Sequence, residues 1–103
     1  EEQFGPVLPL MSFDNVDEVL TRANDTIYGL GASVWSADIE AAQVLADQLE
    51  AGTVWSNETQ HLSPHAAFGG AKQSGIGGEG GRHGVLEFCQ PKTISIKRDA
   101  AVA

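Results

Sequence analysis

Glu2 stands two residues before Phe4, and Gly5-Pro6 follow at once. This order presents a carboxylate and an aromatic ring beside a tight backbone turn, which suits a binding surface better than a buried scaffold. By its own residue type, Glu2 reads as a solvated charge. A second such stretch is Phe68-Gly69-Gly70-Ala71-Lys72-Gln73-Ser74-Gly75, where flexible backbone lies next to an exposed aromatic. Just beyond it, Gly75-Ile76-Gly77-Gly78-Glu79-Gly80 satisfies the G-x-G-x-x-G spacing. A dinucleotide fingerprint needs a strand immediately before it and an acidic residue about 20 positions on. Here a loop precedes Gly75, and Lys97-Arg98 occupies the place of the acid. The match is a product of glycine density.

The other reactive side chains have plainer readings. His61 and His65 would serve as paired metal ligands only on a helix, and Pro64 interrupts any helix there. Surface histidines are the better reading, with His83 decorating a short helix. Cys89 is the only thiol, and a nucleophilic thiol needs a helix N-terminus or a cationic neighbour. It falls instead at a predicted helix C-terminus, where the helix dipole opposes a thiolate. Trp35 and Trp55 follow apolar residues in short strands and read as core or interface anchors.

The 103 residues make one domain at most, with little reserve of core. Fourteen acidic residues against six basic ones give a formal charge of -8, and the basic residues are scattered apart from Lys97-Arg98. That balance argues against binding nucleic acid or an anionic membrane. One cysteine excludes an internal disulfide framework and fits a reducing compartment, here the cytoplasm. No apolar run approaches the roughly 20 residues of a membrane helix. The chain opens on Glu1 with no initiator Met or signal pattern, which suggests a fragment, although a processed product or trimmed chain would look alike.

The elements that must position these residues follow from periodicity. Val7–Phe13 is apolar around Pro9, which predicts an edge-like or irregular strand. Val16, Val19, Leu20 and Ala23 share one helical stripe after the capping pair Asp14-Asn15. Leu30–Trp35 reads as a strand, and Ser36 and Asp38 cap a second helix carrying Ala42, Leu45, Ala46 and Leu49. Gly52 stops that helix near its C′ position, and Thr53-Val54-Trp55 is a third short strand. The order β-α-β-α-β predicts an α/β fold with neighbouring parallel strands and right-handed crossovers. From 57 to 81 no period survives, and eight of the twelve glycines lie between Gly69 and Gly84. A loop of that length is functional or disordered. A brief helix is expected around Arg82–Phe88. Thr93–Lys97 alternates as a half-buried strand, set apart by Pro91.

The spacing of these pieces resembles the aldehyde dehydrogenase superfamily, without a gap from Glu1 to Lys97. The resemblance rests on Glu2-x-Phe4-Gly5-Pro6-Val7, Ala23-Asn24, Tyr28-Gly29-Leu30 and Ala32-x-Val34-Trp35-Ser36. It continues in Leu49-Glu50-Ala51-Gly52-Thr53-Val54-Trp55-x-Asn57, Phe68-Gly69-Gly70-x-Lys72-x-Ser74-Gly75 and Lys92-Thr93. Each is short; their joint order is specific.

The resemblance implies that Glu2 hydrogen-bonds the nicotinamide ribose of NAD or NADP and that Phe4 packs near the nicotinamide. A carboxylate suits two ribose hydroxyls because it accepts both bonds at once. It implies that Phe68 helps wall the aldehyde tunnel, with Leu62 the apolar wall from the variable loop between Asn57 and Phe68. It places residues 1–90 in the C-terminal part of a three-layer catalytic domain, with the glycine-rich loop at 57–81. Residues 91–103 become an oligomerisation strand and tail, so a homodimer or homotetramer is expected. Two positions depart from the family pattern: Gly77-Gly78-Glu79 stands where Gly-Arg-Glu is common, so Gly78 replaces the Arg, and Ala67 replaces the usual Pro before the tunnel Phe.

The family's nucleophilic Cys, general-base Glu and oxyanion Asn match nothing in this chain, so no catalytic residue is expected here. In the complete enzyme a thiolate attacks the aldehyde, a hydride passes to NAD(P)+, and a water activated by the Glu releases the acid. This chain is expected to supply a ribose clamp, part of the tunnel wall and subunit contacts, with no turnover and little or no cofactor binding alone. The rival reading is a free-standing, non-catalytic association module derived from the same family.

Overall fold

Two side-chain caps begin the two longer helices. The computed structural model describes residues 2–97. Asn15 is extended, and its Oδ1 accepts the backbone N–H groups of Asp17 and Glu18 at 2.8 and 3.2 Å, which starts α1 (Val16–Asn24). Asp17 and Glu18 lie in its first turn and Arg22 in its last, each sign complementing the helix dipole. After β1 (Tyr28–Gly29) and β2 (Gly31–Val34), Asp38 Oδ1 accepts Ala41 N–H at 3.0 Å and opens α2 (Ile39–Ala46). The chain then enters β3 (Thr53–Ser56), which pairs in parallel with β2 from Gly31 opposite Thr53 to Val34 opposite Ser56. This β-α-β unit is the part of the α/β reading that forms as expected.

The glycine-rich region is more ordered than its composition suggests. It contains β4 (Phe68–Gly69), β5 (Ala71–Lys72) and β6 (Gly78–Glu79), followed by α3 (Gly81–Glu87). Strand β5 pairs antiparallel with β1, and β6 pairs antiparallel with β4. The reason is close packing of bare backbone. A Cβ on Gly69 would lie 2.7 Å from the carbonyl oxygen of Gly77, and a Cβ on Gly29 would lie 2.6 Å from that of Glu50. Periodicity is silent here because no side chains alternate.

Four expectations are corrected. Val7–Phe13 forms no strand and its apolar side chains are exposed: Pro9 has no N–H to give a ladder, and no strand of the described residues pairs with the stretch. Thr93–Lys97 likewise forms no strand, with Ile94 71% and Ile96 77% exposed. In place of a three-layer stack, the described residues hold three separate two-stranded sheets, because their strands are only two to four residues long and each pairs with one partner. Of the two readings for Trp35, core or interface anchor, the core one does not hold among the described residues: Trp35 is 66% exposed, and its Nε1 donates to Ser33 Oγ at 3.2 Å. The expected tail 98–103 lies outside the described residues.

No independent core closes around these elements. The buried positions among the described residues are Gly29, Ala42 and Gly84, two of which have no side chain. The radius of gyration is 20.7 Å, against about 13 Å for a compact domain of this length. The accessible surface is 9096 Å² for 10.9 kDa, where a compact monomer of that mass exposes roughly 5,600 Å².

Candidate functional site

The site region is organised by two loops and the start of β2. A depression of about 450 Å³ is bordered by Glu2, Asn24, Tyr28, Glu50 and Ser74, with Leu30, Gly31 and Ala32 on one side. A groove of about 580 Å³ is lined by Trp55, Thr59, Gln60, Leu62 and Phe68, and Leu30–Ala32 borders it too. One short stretch of backbone therefore separates the place of Glu2 from the place of Leu62 and Phe68.

The four residues singled out in the sequence divide accordingly. Leu62, 58% exposed, and Phe68, half-buried at the start of β4, share the wall of the groove. Glu2 is exposed at the rim of the depression. Phe4 is 96% exposed and extends into solvent. The structure brings Leu62 to Phe68 and leaves Phe4 apart from both. Elsewhere, Cys89 is exposed after α3 and its Sγ lies 3.4 Å from the Val85 carbonyl oxygen. Within the G-x-G-x-x-G stretch, Gly78 and Glu79 are strand residues paired to Gly69 and Phe68. A Cβ on Gly78 would lie 3.2 Å from both His83 Cδ2 and the Phe68 carbonyl oxygen, so a larger residue there would press on β4.

Polar contacts fix the loops, and most were not foreseen. Asn24 Nδ2 donates to the Gln48 carbonyl at 2.8 Å, and its Oδ1 accepts Glu50 N–H at 2.9 Å. Lys72 Nζ donates to the Asn24 carbonyl at 2.6 Å and lies 2.7 Å from the Glu50 carboxylate. Ser74 Oγ accepts Gly29 N–H at 2.8 Å. Together these tie the end of α1, the turn before β3 and the glycine-rich segment around the depression. On the groove side, Ser36 N–H donates to Asn57 Oδ1 and Asn57 Nδ2 donates to the Ser36 carbonyl, both at 2.8 Å. Trp55 Nε1 donates to the His61 carbonyl at 2.8 Å. Asn24 reads from sequence only as a helix terminator; its presence in the quoted motif pieces, with Glu50 and Lys72, is the one signal that could have pointed to the network.

The chain is a mixed α/β piece with little buried core among the described residues, and a groove lies along one side of β2. Residues 1–94 match the model of the aldehyde dehydrogenase family, and the chain belongs to that family. It is 48% identical over 97 residues to an aldehyde dehydrogenase of Enchytraeus buchholzi, covering 94% of this chain and 20% of that protein. It is 48% identical over 97 residues to aldehyde dehydrogenase 1A1 of Gallus gallus, covering 94% and 19% respectively. Among solved structures it is similar to betaine aldehyde dehydrogenase from Staphylococcus aureus in complex with NAD+. The TM-score there is 0.82 at 46% identity, over 85% of this chain and 18% of that one. The chain thus spans about a fifth of the length of the relatives it matches.

Proposed function

We propose that this chain is the segment of an NAD(P)+-dependent aldehyde dehydrogenase that walls the aldehyde groove and reaches the nicotinamide end of the cofactor. The observation that carries the reading is the shared wall: Leu30–Ala32 borders both the Leu62–Phe68 groove and the depression with Glu2 at its rim. An apolar groove faces the aldehyde, while an exposed carboxylate on the other side of the same strand faces sugar hydroxyls. The residues fit that end of a dinucleotide: Glu2 is free to accept two hydrogen bonds, and the Phe4 ring is free to stack. When bound, the cofactor supplies the hydride acceptor. Phe68 and Leu62 exclude water from the aldehyde and set its width.

The reacting thiol and base are supplied from outside these residues, so the chain alone does not turn over aldehyde. The segment 91–97, with Ile94 and Ile96 exposed, takes part in association between copies. A cytoplasmic place is supported by the likeness to aldehyde dehydrogenase, cytosolic 1 of Rattus norvegicus; separately, among the described residues no helix is long and apolar enough to cross a membrane. The test is steady-state oxidation of propanal by the intact protein with NAD+ and with NADP+. Phe68→Ala should raise KM for aldehyde with little change for cofactor, and Glu2→Gln should do the reverse. Equal effects of both variants on both constants would refute the division.

A further inference from the structure

We infer that Trp55 is a positioning residue for the groove: its indole N–H holds the loop 57–67 by one carbonyl, and Gly31 provides the seat that aims it. The aldehyde role of the groove rests on the function proposed above. Trp55 lies on β3 opposite Ser33 of β2, two residues along from Gly31. A Cβ on Gly31 would lie 2.8 Å from Trp55 Cζ3 and 3.2 Å from Cη2, so the ring rests on bare backbone. From that seat Nε1 reaches the His61 carbonyl at 2.8 Å, one residue before Leu62.

The loop needs such a hold. Asn57 and Gln60 both adopt φ of 56°, a left-handed conformation that residues other than glycine disfavour. Asn57 is held by its double exchange with Ser36. The bond from Trp55 falls immediately after Gln60. On the far side, Gly81 N–H donates to the Pro64 carbonyl at 2.9 Å. Leu62 and Ser63 are thereby bracketed between two anchors on different elements. The position of Leu62 in the wall it shares with Phe68, and with it the width of the groove, depends on the indole bond.

The experiment uses the intact dehydrogenase with Trp55→Phe, which keeps a ring and removes the donor, and Gly31→Ala, which unseats the ring. Amide hydrogen exchange in a peptide spanning 58–63 should quicken about fivefold in each, the scale of one lost hydrogen bond. The ratio of KM for phenylacetaldehyde to KM for propanal should move by about the same factor. The kcat values of the two aldehydes should change together, and the double variant should match the stronger single one. Unchanged exchange in Trp55→Phe, with aldehyde oxidation intact, would overturn the inference by itself. A uniform loss of kcat with an unmoved KM ratio would overturn the selectivity role. A wild-type protein that oxidises neither aldehyde would sink the proposed function, and with it the link to selectivity, whatever the exchange rates show.

Discussion

Adding one methyl group at Gly52 should cost more than any other single-carbon change in this chain. A Cβ built there falls into the carbonyl oxygen of Gly69 and meets the Gly70 carbonyl carbon at 3.3 Å. Gly52 does not need a left-handed φ; what it supplies is the absence of a side chain where the turn before β3 crosses β4. Gly69 in turn backs onto Gly77, so three stretches of backbone are stacked with nothing between them. An exposed side chain would rotate away, but backbone on both sides cannot. Overpacking against a yielding neighbour costs about 1–3 kcal/mol. Separating the strands here also disturbs the β4–β6 pairing and the Gly52 N–H bond to the Gly29 carbonyl at 2.9 Å, at about 1 kcal/mol each. The sum is about 4 kcal/mol, a thousandfold in the folded ratio. Because Phe68 precedes Gly69, the groove wall should move as well. Urea unfolding of the intact Gly52→Ala protein should show this loss, with Gly5→Ala as control, since nothing lies within 4 Å of a Cβ there. A Gly52→Ala protein within about 0.5 kcal/mol of wild type, the ordinary scatter of surface changes, would refute the stacked-backbone reasoning.

Lys72 adopts φ of 53° while its ammonium holds Asn24 and Glu50. Lys72→Ala should therefore cost about 1.5 kcal/mol, discounted for the exposed Glu50, and Lys72→Gly about 1 kcal/mol less because it relieves the left-handed backbone; chemical denaturation of both variants checks the difference. Asn15→Ala should weaken α1 by about 1 kcal/mol and Asn15→Asp should not, read by helical circular dichroism on heating. The 103-residue chain by itself should form no NADH from short aldehydes; formation abolished by Cys89→Ser would refute this. The same isolated chain should self-associate, because Leu8, Leu10 and Met11 are 80%, 89% and 70% exposed. A monomeric mass by light scattering with a cooperative melt would count against it.

Where side chains repeat, the fold was legible. The stripe from Val16 to Ala23 became α1, and the two apolar runs flanking α2 became a parallel pair. Where the chain packs by having no side chains, it was not. The segment 57–81 read as a loop and turned out to hold two strand pairings, whereas the brief helix expected around Arg82–Phe88 formed as Gly81–Glu87. Gly52 shows the same error in small: expected near the C′ position of α2, it lies well past the helix, which ends at Ala46 with Asp47 as its cap. The expected strands at 7–13 and 93–97 failed for a different reason. Alternation and β-propensity describe a strand's fitness for a sheet, but a strand forms only where a partner meets it, and no described strand pairs with either stretch. For the site, Leu62 and Phe68 came from family spacing and meet in one groove, whereas the Trp55–His61 bond left no mark in the sequence beyond an aromatic in a strand.

The two halves of the chain are held by different forces, and this bears on how the groove behaves. Around α1, β2 and α2, apolar side chains such as Val19, Leu20, Val34, Leu45 and Leu49 face a common hollow, and the contact is diffuse. Losing one methylene there changes area by a little and geometry hardly at all. The segment from 57 to 81 has no such reserve. Its shape is set by glycine backbones in contact, by the paired contacts of Asn57 and Lys72, and by single hydrogen bonds at His61 and Ser74. Dispersion across bare backbone tolerates no added atom, and a lone hydrogen bond has no neighbour to share its loss. Both make the response to substitution abrupt. A groove built this way keeps a fixed width without a core beneath it, as the proposed role of one wall in a larger site requires.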